Sequence, residues 1–379
     1  MKIAIDISRA NDKKKTGVSW YAFHLIQKFK EMNKKQAFEL VLYSREPLRG
    51  ELAKDIPKNW QVKILRWPPK RLWTQIRLSW EIIFHPVDIL FVPAHVVPLV
   101  HPKKTIMTVH DIAAIKFPQS YSFFERFYSL WSAKFACKNL WQVIVPSQFT
   151  KNELISKFKL NKKESEKIKV IYHGYNNEYN KTLSPEKILA TLEKYHIGKP
   201  FLLSIGRLEE KKNTIGIIKS FVKLKTSDPQ KFSNLKLVLI GAKGYGYEKV
   251  LSTIKNSKFK NDIITPGWTK NSDLSAIMQG AEVFVFPSWY EGFGIPVLEA
   301  FASSTPAVVS DYGALREIGG EAAVYAKPSD INSIFQALKK MLSRENFYNE
   351  KQKMGRELVK NFSWEKCAKE TWQIFFDEK

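Results

Sequence analysis

The sequence predicts an α/β chain made of two doubly wound, parallel-sheet halves. Short apolar runs rich in Val and Ile alternate with amphipathic stretches, the pattern of parallel strands covered by helices on both faces. The alternation pauses between Gly174 and Pro200, then restarts with Pro-Phe-Leu-Leu-Ser-Ile-Gly. A length of 379 residues also exceeds one ordinary core. The expected organisation is a first domain over 1–180, a linker over 181–197 and a second domain over 198–360. A C-terminal amphipathic helix over 361–379 is expected to pack on either domain, the first included.

In the first half the expected strands are Ile3–Ile7, Phe38–Tyr43, Val62–Leu65, Ile89–Val92, Thr105–Val109, Val143–Val145 and Ile168–Tyr172. Helical spacing of apolar residues predicts helices over Val18–Glu31, Gln75–Phe84, Phe123–Lys138 and Thr150–Phe158. In the second half strands are expected at Pro200–Gly206, Leu235–Ile240, Ile263–Thr265, Val283–Phe286 and Ala307–Ser310. A helix over Thr214–Lys225 has Asn213 placed as its N-cap. Two such halves are expected to face each other across a cleft, with ligands beyond the carboxyl ends of the strands.

Composition narrows the function classes. Only two cysteines occur, Cys137 and Cys367, without metal-ligand spacing, so a disulfide framework is excluded and a reducing compartment is expected. The N-terminal Met-Lys-Ile-Ala-Ile-Asp reads as a strand rather than a secretory signal. No apolar run approaches the ~20 residues of a membrane-spanning helix. Net charge is +24, and residues 1–180 hold 31 Lys/Arg against 15 Asp/Glu. Such a basic half suits an anionic partner, although a merely solvated Lys-rich surface gives the same count.

The segment from Pro287 to Asp311 carries Glu291 and Glu299 eight residues apart, separated by Gly292, Gly294 and Pro296. Glu291 is expected in the loop after strand Val283–Phe286. The glycines allow backbone to approach a ligand, and Pro296 suits the first position of a helix. Glu299 is then expected in the first turn. The N–H groups from Phe293 to Val297 are expected to face an anion. An anionic group at the helix start, flanked by carboxylates that bind hydroxyls, fits this pattern; a plain helix with acids near its positive end fits it too. Arg207 and Lys212 follow another strand and can neutralise a diphosphate. Gly241, Gly244 and Gly246 form a loop after a third strand. His110 and Asp111 end a strand in the first half, and Gly17 opens its first long helix, a second phosphate approach. For His110 a core role is the plain alternative.

Taken together these motifs resemble the retaining glycosyltransferases of family four, which have the GT-B fold. The resemblance rests on Glu291-Gly-Phe-Gly-Ile-Pro-Val-Leu-Glu299 as the family's E-x7-E element. It extends to Gly-Arg-Leu-Glu-Glu-Lys-Lys-Asn from Gly206, and to Val-His-Asp, Val-Pro-Ser-Gln-Phe-Thr-Lys-Asn-Glu-Leu and Tyr-His-Gly-Tyr in the family's order. It implies that Arg207 and Lys212 bind the donor diphosphate, with Lys211 the adjacent alternative to Lys212. It implies that Glu299 holds the nucleotide ribose and that Glu291 contacts the donor sugar. Gly292, Phe293, Gly294 and Ile295 would bind sugar and phosphate through backbone N–H groups. His110 would lie near the transferred sugar, and Gly17 would border the phosphates or acceptor.

The implied activity is transfer of a hexose with retention, mannose from GDP-mannose being the first expectation and a UDP-sugar the alternative. No Asp-x-Asp occurs in the chain, so a metal-independent reaction without cofactor is expected. Relatives of this type build surface polysaccharide on lipid diphosphate carriers, which suggests a glycan or lipid-linked acceptor. The expected location is cytoplasmic, with the inner face of the cell membrane as a docking surface. Arg66, Lys70, Arg71 and Arg77, interleaved with Trp67, Trp73 and Trp80, suggest that surface, or an ordinary packed helix. The competing class is a non-catalytic basic protein that binds nucleic acid, for which no recognised motif is present. A sugar phosphorylase or nucleotide-sugar epimerase on the same fold is a third reading.

Overall fold

The computed structural model describes residues 1–13, 15–68, 72–94, 96–267 and 269–377. Lys70 and Arg71 of the expected basic segment lie outside the described residues. The chain divides into two units, Met1–Gly174 with Ser363–Lys379, and Tyr175–Phe362.

The first unit holds a seven-stranded parallel sheet. Its strands are β1 (Ile3–Asp6), β2 (Leu40–Ser44), β3 (Gln61–Ile64), β4 (Ile89–Val92), β5 (Lys104–Thr108), β6 (Gln142–Val145) and β7 (Ile168–Val170). Their order is β3-β2-β1-β4-β5-β6-β7. β1, β2, β4 and β6 are buried along their whole length, as continuous apolar runs require when helices cover both faces. β3 at the edge is polar and half-exposed. Register follows the apolar runs, Ile3 opposite both Leu40 and Ile89.

The second unit repeats the plan with six parallel strands: β8 (Phe201–Ile205), β9 (Lys236–Ile240), β10 (Ile263–Ile264), β11 (Val283–Phe286), β12 (Ala307–Ser310) and β13 (Val324–Ala326). Their order is β10-β9-β8-β11-β12-β13. Each sheet therefore reverses direction beside its first strand, between β1 and β4 and between β8 and β11. Loops on either side of such a reversal diverge and leave room for a ligand at the strands' carboxyl ends.

Two features differ from the sequence expectation, and a third decides between the two places expected for the C-terminal helix. Where a linker over 181–197 was expected, the structure has helix Pro185–Lys194, opened by a Ser184 cap and Pro185. It packs on helix Asn271–Gly280, with Leu192 against Gly280 and Lys194 Nζ 2.6 Å from Asp273. The first unit ends at Gly174, and Tyr179 is already a buried residue of the second unit. Helix Trp364–Ile374 belongs to the first unit, where Phe375 is fully buried against Phe29 and Phe91. Burying such side chains contributes about 1.5–3 kcal/mol each, which explains why the chain's end returns to the sheet on which it began. Gly174 has no room for a side chain, since a Cβ there would stand 2.2 Å from the Trp364 nitrogen.

Candidate functional site

In the second unit the chemistry gathers at the carboxyl ends of β8 and β11. After β8 the backbone turns at Gly206, with φ +157°, a conformation L side chains rarely adopt. Its neighbour Gly241 has φ +152° and sits so close that a Cβ would lie 1.9 Å from the Gly206 carbonyl. The two loops continue side by side, Leu208 N–H donating to Ala242 O at 2.9 Å and Gly244 N–H to Leu208 O at 3.1 Å. Glycine at these positions is what lets the loop after β8 form.

Lys212 and Glu291 meet in this place. Lys212 Nζ lies 2.5 Å from Glu291 Oε1, with side chains only 19% and 13% exposed. Ser288 Oγ donates to the same oxygen at 2.5 Å. The Lys212 stem runs past Gly206, and its ammonium sits 5.0 Å from the centre of the Phe286 ring. The Lys211 carbonyl accepts from Trp289 N–H at 2.9 Å and lies 3.0 Å from Ser288 Oγ, whose single proton it shares with Glu291, fixing the two loops to each other. The geometry thus separates the neighbouring lysines: the Lys212 side chain carries the charge into the cluster, while Lys211 contributes its backbone carbonyl. Arg207 is the more exposed cation; its Nε lies 3.3 Å from Oε2 of buried Glu209.

Asn213 does not act as the expected side-chain cap. It takes a left-handed conformation, φ 55°, and its amide nitrogen donates to the carbonyls of Pro287 at 3.2 Å and Pro328 at 2.8 Å. It holds the loop bearing Glu291 rather than its own helix.

The helix after Glu291 runs Ile295–Ala302, capped by Gly294 at φ 130°. Pro296 is its second residue rather than its first, and Glu299 falls just beyond the first turn. Val297 N–H is spent on the Gly294 carbonyl at 2.9 Å, and proline has no N–H. The expected anion contact therefore narrows to the backbone of residues 293–295. Phe293 turns its buried ring toward Phe362, 6.1 Å between centroids. Gly292 and Gly294 are buried and Ile295 is half-buried. Glu299 keeps an exposed edge, but the protein around its carboxyl desolvates it and raises its pKa from 4.5 to about 8. Burial, and then the charge of Glu299, push the Tyr179 hydroxyl well above its usual range.

In the first unit His110 stands just past the end of β5, buried, its Nε2–H donating to Pro93 O at 3.1 Å. A carbonyl only accepts, so Nε2 carries the proton. Helix Gly17–Lys35 brings Tyr21 edge-on to the imidazole, with centroids 4.8 Å apart, and Tyr21 Oη bonds Thr108 Oγ1 at 3.1 Å. His173 lies 5.5 Å from His110 and stacks on Trp364 at 5.7 Å. Burial, then the neighbouring His110, hold His173 well below the ordinary imidazole range, so it is neutral at pH 7. Gly17 opens the same helix one turn before Tyr21, and a Cβ there would meet nothing within 4 Å. Asp111 turns back to accept from Ala113 N–H at 2.9 Å.

Of the interleaved tryptophans, Trp73 is buried, its Nε1 donating to Leu65 O at 2.6 Å, and Trp67 packs against the core. Trp80 is exposed. Arg77 is engaged with Glu81 at 3.4 Å. Among the described residues no helix is long and apolar enough to cross a membrane.

Of the glutamates and cations singled out in the sequence, the structure brings Lys212 and Glu291 together; Ser288 and the Tyr21–His173–Trp364 packing around His110 were not singled out, and Asn213 was given only a capping role. Ser288, three residues before Glu291, is the one with a local signal.

Comparison with known proteins agrees with this layout. Residues 16–179 match the family model "Glycosyltransferase Family 4", and residues 186–358 match "Glycosyl transferases group 1". The chain is 26% identical over 270 residues to the O-antigen chain mannosyltransferase B of Escherichia coli, covering 71% of this chain and 69% of that one. It is 26% identical to the O-antigen chain mannosyltransferase RfbU of Salmonella typhimurium, covering 82% and 84%. A crystal structure of Anabaena HepE in complex with UDP-glucose superposes with a TM-score of 0.73 at 16% identity, covering 98% of this chain and 99% of that chain. The two-sheet architecture is that of the GT-B glycosyltransferases.

Proposed function

Because the chain belongs to the family-four glycosyltransferases, we propose that it is a retaining hexosyltransferase that moves mannose from GDP-mannose to a glycan or lipid-linked oligosaccharide. The observation that carries this reading is the Lys212–Glu291–Ser288 cluster at the carboxyl ends of β8 and β11. Mannose is favoured by the relatives, two of which are named as O-antigen mannosyltransferases. A UDP-sugar is the second reading, favoured by the neighbour that holds UDP-glucose.

Breaking the anomeric C–O bond leaves negative charge on the departing diphosphate. Lys212 and Arg207 stabilise that charge, together with the backbone N–H groups of residues 293–295 at the helix start. Glu291, oriented by Lys212 and Ser288, accepts hydrogen bonds from hydroxyls of the donor sugar. The leaving phosphate takes the acceptor's proton as the new bond forms on the same face, so the configuration is kept. Glu299 binds the ribose; with its pKa near 8 it is protonated at pH 7 and both donates and accepts. His110 and Gly17 of the first unit are assigned to the transferred sugar and to phosphate or acceptor on the family resemblance alone. The reaction uses neither cofactor nor metal, a reading that rests on the lack of Asp-x-Asp. The acceptor is met at the cytoplasmic face of an anionic membrane, which suits the basic first 180 residues.

The test is transfer from GDP-mannose to mannosylated acceptors, with the product's anomeric configuration read by NMR. An α-linked product formed at full rate in chelator supports the reading. A β-linked product refutes retention, and loss of turnover in chelator refutes metal independence. Turnover with UDP-sugars alone selects the second donor.

A further inference from the structure

Helix Phe123–Asn139 is built inside out. Its buried residues are the small Ser132, Ala133, Ala136 and Cys137, while four of its rings, Phe123, Phe124, Phe127 and Trp131, face solvent and only Phe135 packs partly on the core. Phe123 is 85% exposed and Phe127 61%, stacked 6.5 Å apart, and Phe124 and Trp131 are exposed on the same helix. A helix serving only its own core would turn those rings inward.

Two further segments join it. Gln75 Nε2 donates to Tyr128 Oη, tying the helical stretch Trp73–Phe84 to this helix. That stretch exposes Trp80 and Phe84, whose rings lie 5.6 Å apart, along with Ile76 and Ile83. Val100 N–H donates to Ser79 Oγ at 3.1 Å, and His101 meets Phe135 edge-on at 5.9 Å, which fixes exposed Leu99 and Val100 between them. The three segments are thereby bonded to one another, and exposed apolar side chains gathered in this way mark an interaction surface.

Charge identifies the occupant. Residues 66–138 contain ten Lys/Arg and four Asp/Glu. Of the four acids, Glu81 is neutralised by Lys63 and Arg77, and Glu125 is folded back on Ser122 in a capping box. Arg126, Lys134 and Lys138 stand exposed along the ring-bearing helix, and Lys103 follows the Leu99–Val100 loop. Exposed aromatics with a basic rim match the boundary between anionic headgroups and acyl chains. A two-fold pairing of copies would set the same basic rim against itself.

We propose that this face docks on an anionic lipid bilayer, with the rings of Phe123, Phe127, Trp80 and Phe84 entering the headgroup–acyl boundary. The inference rests on the membrane part of the function proposed above and specifies which surface does the docking; it does not depend on the sugar chemistry.

The experiment is flotation of the full chain with vesicles of phosphatidylcholine alone or containing about a third phosphatidylglycerol. It compares the wild type with Phe123→Ser/Phe127→Ser and with Trp80→Ser/Phe84→Ser. The wild type is expected to float with the anionic vesicles, and each double variant to bind at least about tenfold more weakly, with an unchanged melting temperature and unchanged nucleoside diphosphate release. Failure of the wild type to float overturns both the docking surface and the membrane reading. Variants that float like the wild type overturn this surface alone. A wild-type dimer by light scattering that the Phe substitutions split into monomers also overturns the proposal and assigns the face to a second copy.

Discussion

Lys212 and Glu291 give the sharpest quantitative prediction, because one pair is asked to serve both stability and donor binding. Consider Lys212→Met, Glu291→Gln and the double variant. Removing one partner of a fully buried ion pair costs about 3–5 kcal/mol, whereas exposed pairs contribute about 0–1 kcal/mol. With side chains 19% and 13% exposed and a separation of 2.5 Å, a coupling of about 2 kcal/mol is expected, between those limits. Ser288 bonds the same Glu291 oxygen and persists in the Lys212 variant, which keeps the value below that of a carboxylate stranded without any partner. Denaturant unfolding of the four proteins, followed through the second unit's transition, yields the coupling from the cycle. The same four proteins titrated with GDP read the function: Lys212→Met should weaken binding more than tenfold, since the diphosphate loses its most buried cation. A coupling under about 0.5 kcal/mol would show that the pair is not closed in solution. Full coupling with unchanged GDP affinity would reduce Lys212 to a structural role and refute the diphosphate assignment.

Three other outcomes follow from the same geometry. Glu299 is protonated in both states below pH 4.5; between there and pH 8 only the unfolded chain ionises, so its burial removes stability as pH rises, about 3–5 kcal/mol in all. Glu299→Gln should therefore match the wild type at about pH 4 and exceed it at about pH 8.5 by denaturation, and a difference that is the same at both pH values contradicts the desolvated carboxyl. Gly241→Ala forces a Cβ to within 1.9 Å of the Gly206 carbonyl at φ +152°, so the variant should lose several degrees of melting temperature and GDP binding together; an unchanged melt contradicts the close approach of the two loops. Burial raises the Cys137 thiol to about 12 and the Cys367 thiol higher still, so both should resist a thiol reagent at pH 8 until denaturant is added, and fast modification of either in the native protein would show that its helix opens.

Much of this arrangement is legible in the sequence, for identifiable reasons. Runs such as Ile3–Asp6 and Val283–Phe286 announce buried parallel strands, because no polar residue but the terminal Asp6 interrupts them. Glu291 and Glu299 stand out because Gly292, Gly294 and Pro296 between them rule out one unbroken helix. What stays hidden depends on tertiary partners. Asn213 reads as an N-cap, yet the carbonyls of Pro287 and Pro328, over 70 residues away, compete for its amide and win. Helix Pro185–Lys194 occupies the expected linker because it finds a partner in helix Asn271–Gly280. The apolar side of Phe123–Asn139 has the spacing of a core-facing helix, and periodicity does not distinguish a face turned to the core from one turned outward. The return of Trp364 to the first unit depends on Gly174, whose bare backbone admits it.

The most direct test is nucleoside diphosphate release from a panel of nucleotide sugars without acceptor, comparing wild type with Lys212→Met. The account predicts GDP release from GDP-mannose by the wild type, at least tenfold above the variant. No release from any donor, together with no thermal stabilisation by any nucleoside diphosphate, would contradict it.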